Sequence, residues 1–159
     1  MRSLLFIGGT GFLGQSFFDN MNSNKLKKIN LSKIIVISRK KKEIKNINKF
    51  KISFINKNIS KLKKIPVTDY VIYAANSNNN KDNLKGVYNF SKLLNFKHRN
   101  TKILFTSSGA VYGKRNYKKK MKESDLVSLI NVKKFNGYKK DYARSKIIME
   151  REFIKISKR

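Results

Sequence analysis

Apolar positions along the chain fall into short runs divided by polar, Lys-rich stretches, and the runs are of two kinds. Ser3 to Ile7, Ile34 to Ile37, Ile52 to Ile55, Tyr70 to Ala75 and Lys102 to Thr106 are brief and nearly continuous in apolar character. That is the pattern of strands covered on both faces of a parallel sheet. Elsewhere the spacing lengthens. Leu13, Phe17 and Met21 recur at i, i+4 and i+8, which predicts a helix from Phe12 to about Met21. Leu84, Val87, Phe90, Leu93 and Leu94 predict a second helix, and Tyr142, Ile147, Ile148, Phe153 and Ile154 a third from Tyr138 to Ile156. Asn22 to Lys33 reads as a polar connection, Asn76 to Asn83 as an Asn-rich loop, and Lys114 to Lys122 as a basic solvated loop. Strands alternating with helices predict an α/β fold, a doubly wound parallel sheet with helices on both faces. No repeat and no linker breaks the sequence, so residues 1–159 read as one domain.

The first strand runs into Gly8-Gly9-Thr10-Gly11-Phe12-Leu13-Gly14, which then opens a helix. Gly9, Gly11 and Gly14 satisfy G-x-G-x-x-G, and Gly8, Gly11 and Gly14 satisfy G-x-x-G-x-x-G. Residues without Cβ let the backbone turn sharply and approach a pyrophosphate, and the helix start offers it unbonded N–H groups. Such a motif alone is weak; its place between a strand and a helix is the context that supports dinucleotide binding.

The end of the second strand bears on which dinucleotide. A carboxylate there would accept from a ribose 2′-hydroxyl and repel a 2′-phosphate. Ser38 and Arg39 stand there instead, both able to donate, so NADP is favoured slightly over NAD. A basic loop of purely compositional origin is the competing reading of the same residues.

Tyr142 and Lys146 lie four apart in the third helical segment, on one face. A phenol titrates near ~10, and a neighbouring ammonium favours its ionised form, which makes it a usable base. In a chain this rich in Lys the pair carries little weight by itself. Thr106-Ser107-Ser108-Gly109-Ala110-Val111-Tyr112-Gly113 adds to it, because hydroxyl residues at the carboxyl edge of a parallel sheet lie where its ligands bind.

GGTGFLG near the N-terminus, SSGAVYG after a middle strand and YARSK on the next helix together resemble the extended short-chain dehydrogenase/reductase superfamily. Within it, the chain is most similar to the NAD(P)-dependent nucleotide-sugar epimerases and dehydratases. The resemblance runs from Leu4 to about Phe153 and implies a Rossmann-type sheet. It implies that Tyr142 is the general base for a substrate hydroxyl, that Lys146 binds the nicotinamide ribose and lowers the tyrosine pKa, and that Ser108 bonds the reacting oxygen. It puts Gly8, Gly11 and Gly14 in the pyrophosphate turn, with Phe12 and Leu13 at its helix start. It places Asn58 and Ile59 at the adenine, Ala74 and Ala75 beside the cofactor, and Asn83, Gly86 and Asn89 in an N-x-x-G-x-x-N helix. A nucleotide-sugar substrate and a homodimer are further expectations from the same source. The interval from Ser108 to Tyr142 is longer than the family pattern, and the family continues beyond the Tyr/Lys helix, so the chain reads as its N-terminal portion. A catalytically inactive, truncated dinucleotide-binding remnant is the alternative function.

Composition changes this picture in a few places. With no Cys among 159 residues, disulfide scaffolds and thiolate metal sites are excluded. No apolar run approaches the ~20 residues of a membrane span, and glycines interrupt the apolar start, so the expected location is cytoplasmic. The formal charge of +29 invites a nucleic-acid-binding reading. Its basic residues are scattered, and 31 of the 38 are Lys rather than the better phosphate fork Arg. Lys, Asn and Ile are together what an A+T-rich coding sequence over-produces, and that origin outweighs a nucleic-acid footprint. His98 reads as an exposed helix end, Asp141 and Glu150 have no partner carboxylate at acid–base spacing, and Phe17, Phe18 and Phe90 read as core.

Overall fold

The computed structural model describes residues 2–20, 30–40, 51–113, 122, 127 and 129–158. Met21, most of the Asn22 to Lys33 connection, Lys41, Lys42 and nearly all of the Lys114 to Lys122 stretch lie outside the described residues. The chain divides into two compact units, residues 1–76 with 86–106, and residues 77–85 with 107–159.

The larger unit is built on a five-stranded sheet: β1 (Arg2–Ile7), β2 (Leu31–Ser38), β3 (Lys51–Asn56), β4 (Tyr70–Tyr73) and β5 (Lys102–Phe105). Every pairing is parallel, in the order β3-β2-β1-β4-β5. The chain winds outward from β1 to β3 and then restarts on the other side of β1. Ligands of open α/β sheets bind at such a reversal, at the carboxyl ends of the strands. The apolar runs account for the central positions: Leu4 to Ile7 on β1 and Ile34 to Ile37 on β2 are buried throughout, in register Leu4↔Ile34 to Ile7↔Ile37. The β2 strand begins at Leu31, so Leu31 to Lys33 belong to the sheet and not to the polar connection. Helix α1 (Phe12–Asp19) follows the glycine turn. Its Phe17 and Phe18 pack on Phe6 with centroids 5.3 and 5.9 Å away, within a cluster with Leu4, Ile34 and Val36.

Helix α2 (Asn80–Leu93) starts within the stretch expected to be a loop, its N-terminus stabilised by the Asn79 side chain accepting from Lys81 N at 2.9 Å. Its later turns belong to the larger unit. Phe90 meets Tyr73 edge-on at 5.3 Å, and burial pushes the Tyr73 phenol up from its ordinary value. A Cβ on Gly86 would stand 2.7 Å from Ile59 Cγ2, so the bare position lets helix and loop meet. Asn89 seals that meeting by donating to the carbonyls of Ile59 and Leu62 at 2.7 and 3.1 Å. His98 corrects the expectation of an exposed end. It is buried in a short 3-10 turn (Phe96–His98), where its ring and the Asn95 side chain cap each other's backbone. A polar, Lys-flanked sequence gives no periodic signal for such a turn, and so resembles surface.

At the start of β1, the Asp69 carboxylate accepts from Ser3 N at 2.7 Å and from the Ser3 hydroxyl at 2.8 Å. These bonds, the side-chain one first, hold Asp69 below the ordinary carboxylate value.

The smaller unit contains a 3-10 turn (Gly109–Tyr112), the short helix α3 (Leu129–Lys133) and the long helix α4 (Gly137–Ser157). Val111, Val132, Ala143 and Ile147 form its core. Gly113 has φ +74°, and a Cβ there would meet the Asn131 backbone at 2.4 Å, so only glycine closes this junction. Among the described residues no helix is long and apolar enough to cross a membrane.

Candidate functional site

In the larger unit the glycine turn is held by its own backbone. Gly8 N donates to Ile37 O at 2.8 Å, Gly11 N to Gly8 O at 3.0 Å and Gln15 N to Gly11 O at 2.9 Å. Gly8 has φ +85°, and a Cβ there would lie 2.6 Å from the Ala75 backbone. A Cβ on Gly14 would fall 1.9 Å from the carbonyl oxygen of Gly9. The structure therefore brings Gly8, Gly11, Gly14, Ala74 and Ala75 together at the ends of β1 and β4, and no larger residue fits at Gly8 or Gly14. Helix α1 starts at Gly11 with no side-chain cap. Its first N–H groups and its dipole are the chemistry that suits a diphosphate. Phe12 is 85% exposed and Leu13 half-exposed beside them.

The Ser38 hydroxyl bonds Thr10 in the glycine turn, a partner that the sequence motif passes over, and accepts more weakly from Lys40 N at 3.4 Å. Arg39 is exposed next to it. Asn58 shapes the backbone locally. Its side chain accepts from Ser60 N at 3.1 Å and caps the turn Ile59–Lys61, whose Ile59 is buried against α2.

In the smaller unit, Ser108 caps the 3-10 turn, its Oγ accepting from Ala110 N at 3.3 Å. Accepting uses a lone pair and leaves the hydroxyl proton available to a further acceptor. Tyr142 and Lys146 share a face of α4, with Lys146 Nζ 5.9 Å from the centre of the Tyr142 ring. Tyr138 stacks on that ring from the preceding turn at 6.1 Å. Lys146 is only 3% exposed. Burial pushes its ammonium below the ordinary lysine value, and the Glu150 carboxylate opposes that displacement. Ser145 shares its hydroxyl proton between the Tyr142 carbonyl at 2.8 Å and Asn80 Oδ1 at 3.2 Å, which ties the helix to the start of α2. Close to Asn80, the Asn83 side chain accepts from Ser77 N at 2.7 Å and donates to Ser77 O at 2.9 Å.

Two participants have no role assigned by the sequence motifs. Ser107 donates its hydroxyl to Glu150. Glu150, expected to have no part in acid–base work, accepts from this hydroxyl, and its charge opposes the displacement of Lys146. Its place four residues after Lys146 is the signal available in the sequence.

An open parallel sheet with a glycine turn at its reversal is the arrangement at which dinucleotides bind in such folds. The chain belongs to the NAD dependent epimerase/dehydratase family, whose model matches residues 4–159. No curated protein matches it in sequence. Solved structures share its fold. A dTDP-glucose 4,6-dehydratase from Bacillus anthracis, in complex with NAD, superposes with TM-score 0.68 at 16% identity, over 98% of this chain and 51% of that one. A UDP-glucose 4-epimerase from Thermotoga maritima, with UDP-glucose, gives TM-score 0.65 at 18% identity, over 98% of this chain and 51% of the other. Vestitone reductase from alfalfa gives TM-score 0.68 at 18% identity, over 99% and 53%. The chain spans about half the length of these relatives.

Proposed function

We propose that this chain performs NAD(P)-dependent oxidoreduction of the epimerase/dehydratase type on a nucleotide sugar, with Ser108, Tyr142 and Lys146 as its working side chains. The observation that carries the reading is a lysine ammonium buried one turn from a tyrosine in a family whose chemistry is NAD-dependent. The glycine turn supports cofactor binding, since Gly8 and Gly14 admit no Cβ and the helix start has no side-chain cap. Gly8, Gly11 and Gly14, with the N–H groups of Phe12 and Leu13, would hold the diphosphate. Ala74 and Ala75 give it room, and Asn58 and Ile59 would border the adenine. The nicotinamide supplies the hydride acceptor when bound.

Tyr142 takes the proton of the substrate hydroxyl as its carbon is oxidised, and the Lys146 cation stabilises the phenolate that does so. Ser108, accepting from Ala110, donates its own proton to the reacting oxygen. Arg39, exposed beside Ser38, supports a preference for NADP. A nucleotide sugar is favoured because enzymes of dTDP-glucose and UDP-glucose share the fold. In this proposal residues 1–159 are one cofactor-binding domain of a cytoplasmic homodimer.

The test has two parts. Titration with NADPH and NADH, followed by nicotinamide fluorescence, should give saturable binding with NADPH the tighter; no binding of either sinks the reading, and tighter NADH removes the preference. Turnover with dTDP- or UDP-glucose should fall about a thousandfold in Tyr142→Phe, within the range of general base catalysis, while NADPH binding stays unchanged. Binding without any turnover would leave a dinucleotide-binding protein without the enzymatic part.

A further inference from the structure

Helix α4 places Tyr142, Lys146 and Glu150 at successive intervals of four, and the last of these is joined to the turn that precedes Ser108. We propose that Glu150 is the positioning residue of this face: its carboxylate anchors the Ser107–Ser108 turn to α4 and stands one helical turn beyond Lys146. The inference rests on the reading of Tyr142 and Lys146 given above and extends it to a residue that touches neither substrate nor cofactor.

Three observations converge. The Ser107 hydroxyl donates to Glu150 across 43 positions of sequence, so the bond ties the turn to the helix and is not a local cap. Ser108, the next residue, is itself fixed by its bond from Ala110 N. Anchoring Ser107 therefore anchors the orientation of Ser108. Finally, Lys146 lies among the buried residues Ala143, Ile147 and Met149, where an ammonium loses its proton more readily, and the carboxylate four residues on counters this.

Helix stability does not explain the arrangement. A lysine followed by glutamate four residues later is the less favourable order for an isolated helix. Among the described residues, the elements packed against α4 carry few other titratable groups. Tyr112 comes from the 3-10 turn, Lys133 from α3, and Lys81, Asp82 and Lys85 from the start of α2. Glu150 carries a charge that acts on Lys146 against the effect of burial. Removing it makes Lys146 easier to deprotonate, and a neutral Lys146 no longer supports the Tyr142 phenolate.

The experiment follows the Lys146 Cε resonance through pH by NMR in the full chain labelled with 13C-lysine, the signal being identified by its absence in Lys146→Met. Glu150→Gln keeps an oxygen that accepts from Ser107 but removes the charge, and the Lys146 midpoint should move to lower pH. Ser107→Ala keeps the charge but frees the carboxylate, and a smaller displacement in the same direction is expected, restored by Ser107→Thr. A midpoint in Glu150→Gln that coincides with the wild type overturns the proposal. So does a displacement in Ser107→Ala as large as that in Glu150→Gln, which would assign the effect to general loosening. Should Glu150→Gln fail to fold, the Ser107 pair decides: displacement by Ala and recovery by Thr support the proposal, and an unmoved midpoint overturns it. NADH binding by the same samples separates the two claims. Absent binding with an intact Glu150 effect removes the functional reading alone, and intact binding with an unmoved Lys146 removes this inference alone.

Discussion

The glycine turn and the face of α4 are built on opposite principles. The turn works by what its residues lack: Gly8 and Gly14 have no Cβ, and backbone hydrogen bonds close the cradle. The face of α4 works by what is pushed into it, a lysine ammonium almost wholly withdrawn from water. The first arrangement suits the fold, because the missing atoms permit close backbone packing and, in the proposed function, the approach of a cofactor. The second opposes the fold, because a buried cation costs stability that the rest of the unit must supply. Function and stability should therefore respond to mutation together in one region and in opposite directions in the other.

The largest effect expected is at Gly14. A methyl group 1.9 Å from the Gly9 carbonyl forces the turn apart, so Gly14→Ala should cost about 3 kcal/mol in urea unfolding and abolish NADPH binding. A tolerated alanine with binding intact would break the contrast at its first half.

Lys146→Met tests the other half. An unbranched apolar side chain of similar length removes the buried charge, and stability at neutral pH should rise by about 1 kcal/mol while turnover is lost. The pH dependence has a definite sign. The unfolded chain, with Lys146 near its ordinary 10.5, holds the proton more readily than the folded one. Stability of the wild type thus rises with pH between the lowered folded value and 10.5, and the advantage of the methionine variant shrinks over that interval. Thermal unfolding at neutral and alkaline pH measures it; a destabilised methionine variant would show that Lys146 stabilises the fold.

The smallest effect belongs to Asp69, which anchors the opposite end of β1 from the glycine turn. Its carboxyl is held below the ordinary 3.8, so the stability it adds is present above that pH and disappears as pH falls beneath it. Acid titration of Asp69→Asn, followed by circular dichroism, should show a shallower loss than the wild type. An identical acid limb would show that the strand end needs no such anchor.

Much of the larger unit is legible in the chain because its signals are local. The apolar runs of β1 and β2, the spacing of Leu13 and Phe17 and the glycines between strand and helix each report on a few consecutive residues. Family membership is legible in the same way, from three motifs in order. What cannot be read depends on residues far apart. The burial of Lys146 exists only once the smaller unit has folded, and nothing in Tyr-x-x-x-Lys distinguishes that lysine from the other 30 in the chain. The link from Ser107 to Glu150 spans 43 positions, and the motif pattern draws attention to Ser108 instead. The burial of His98 and the existence of α3 are hidden for a different reason, since one turn of helix is too short to show a period.

The bare start of α1 at Gly11 has a consequence for how the molecule behaves in solution. In the proposed function, a helix that supplies no lid for its own amides borrows one from the diphosphate of its cofactor. Its resistance to heat then ceases to be a fixed property and follows the surrounding nucleotide concentration, by about 2.7 kcal/mol when the ligand stands a hundredfold above its dissociation constant.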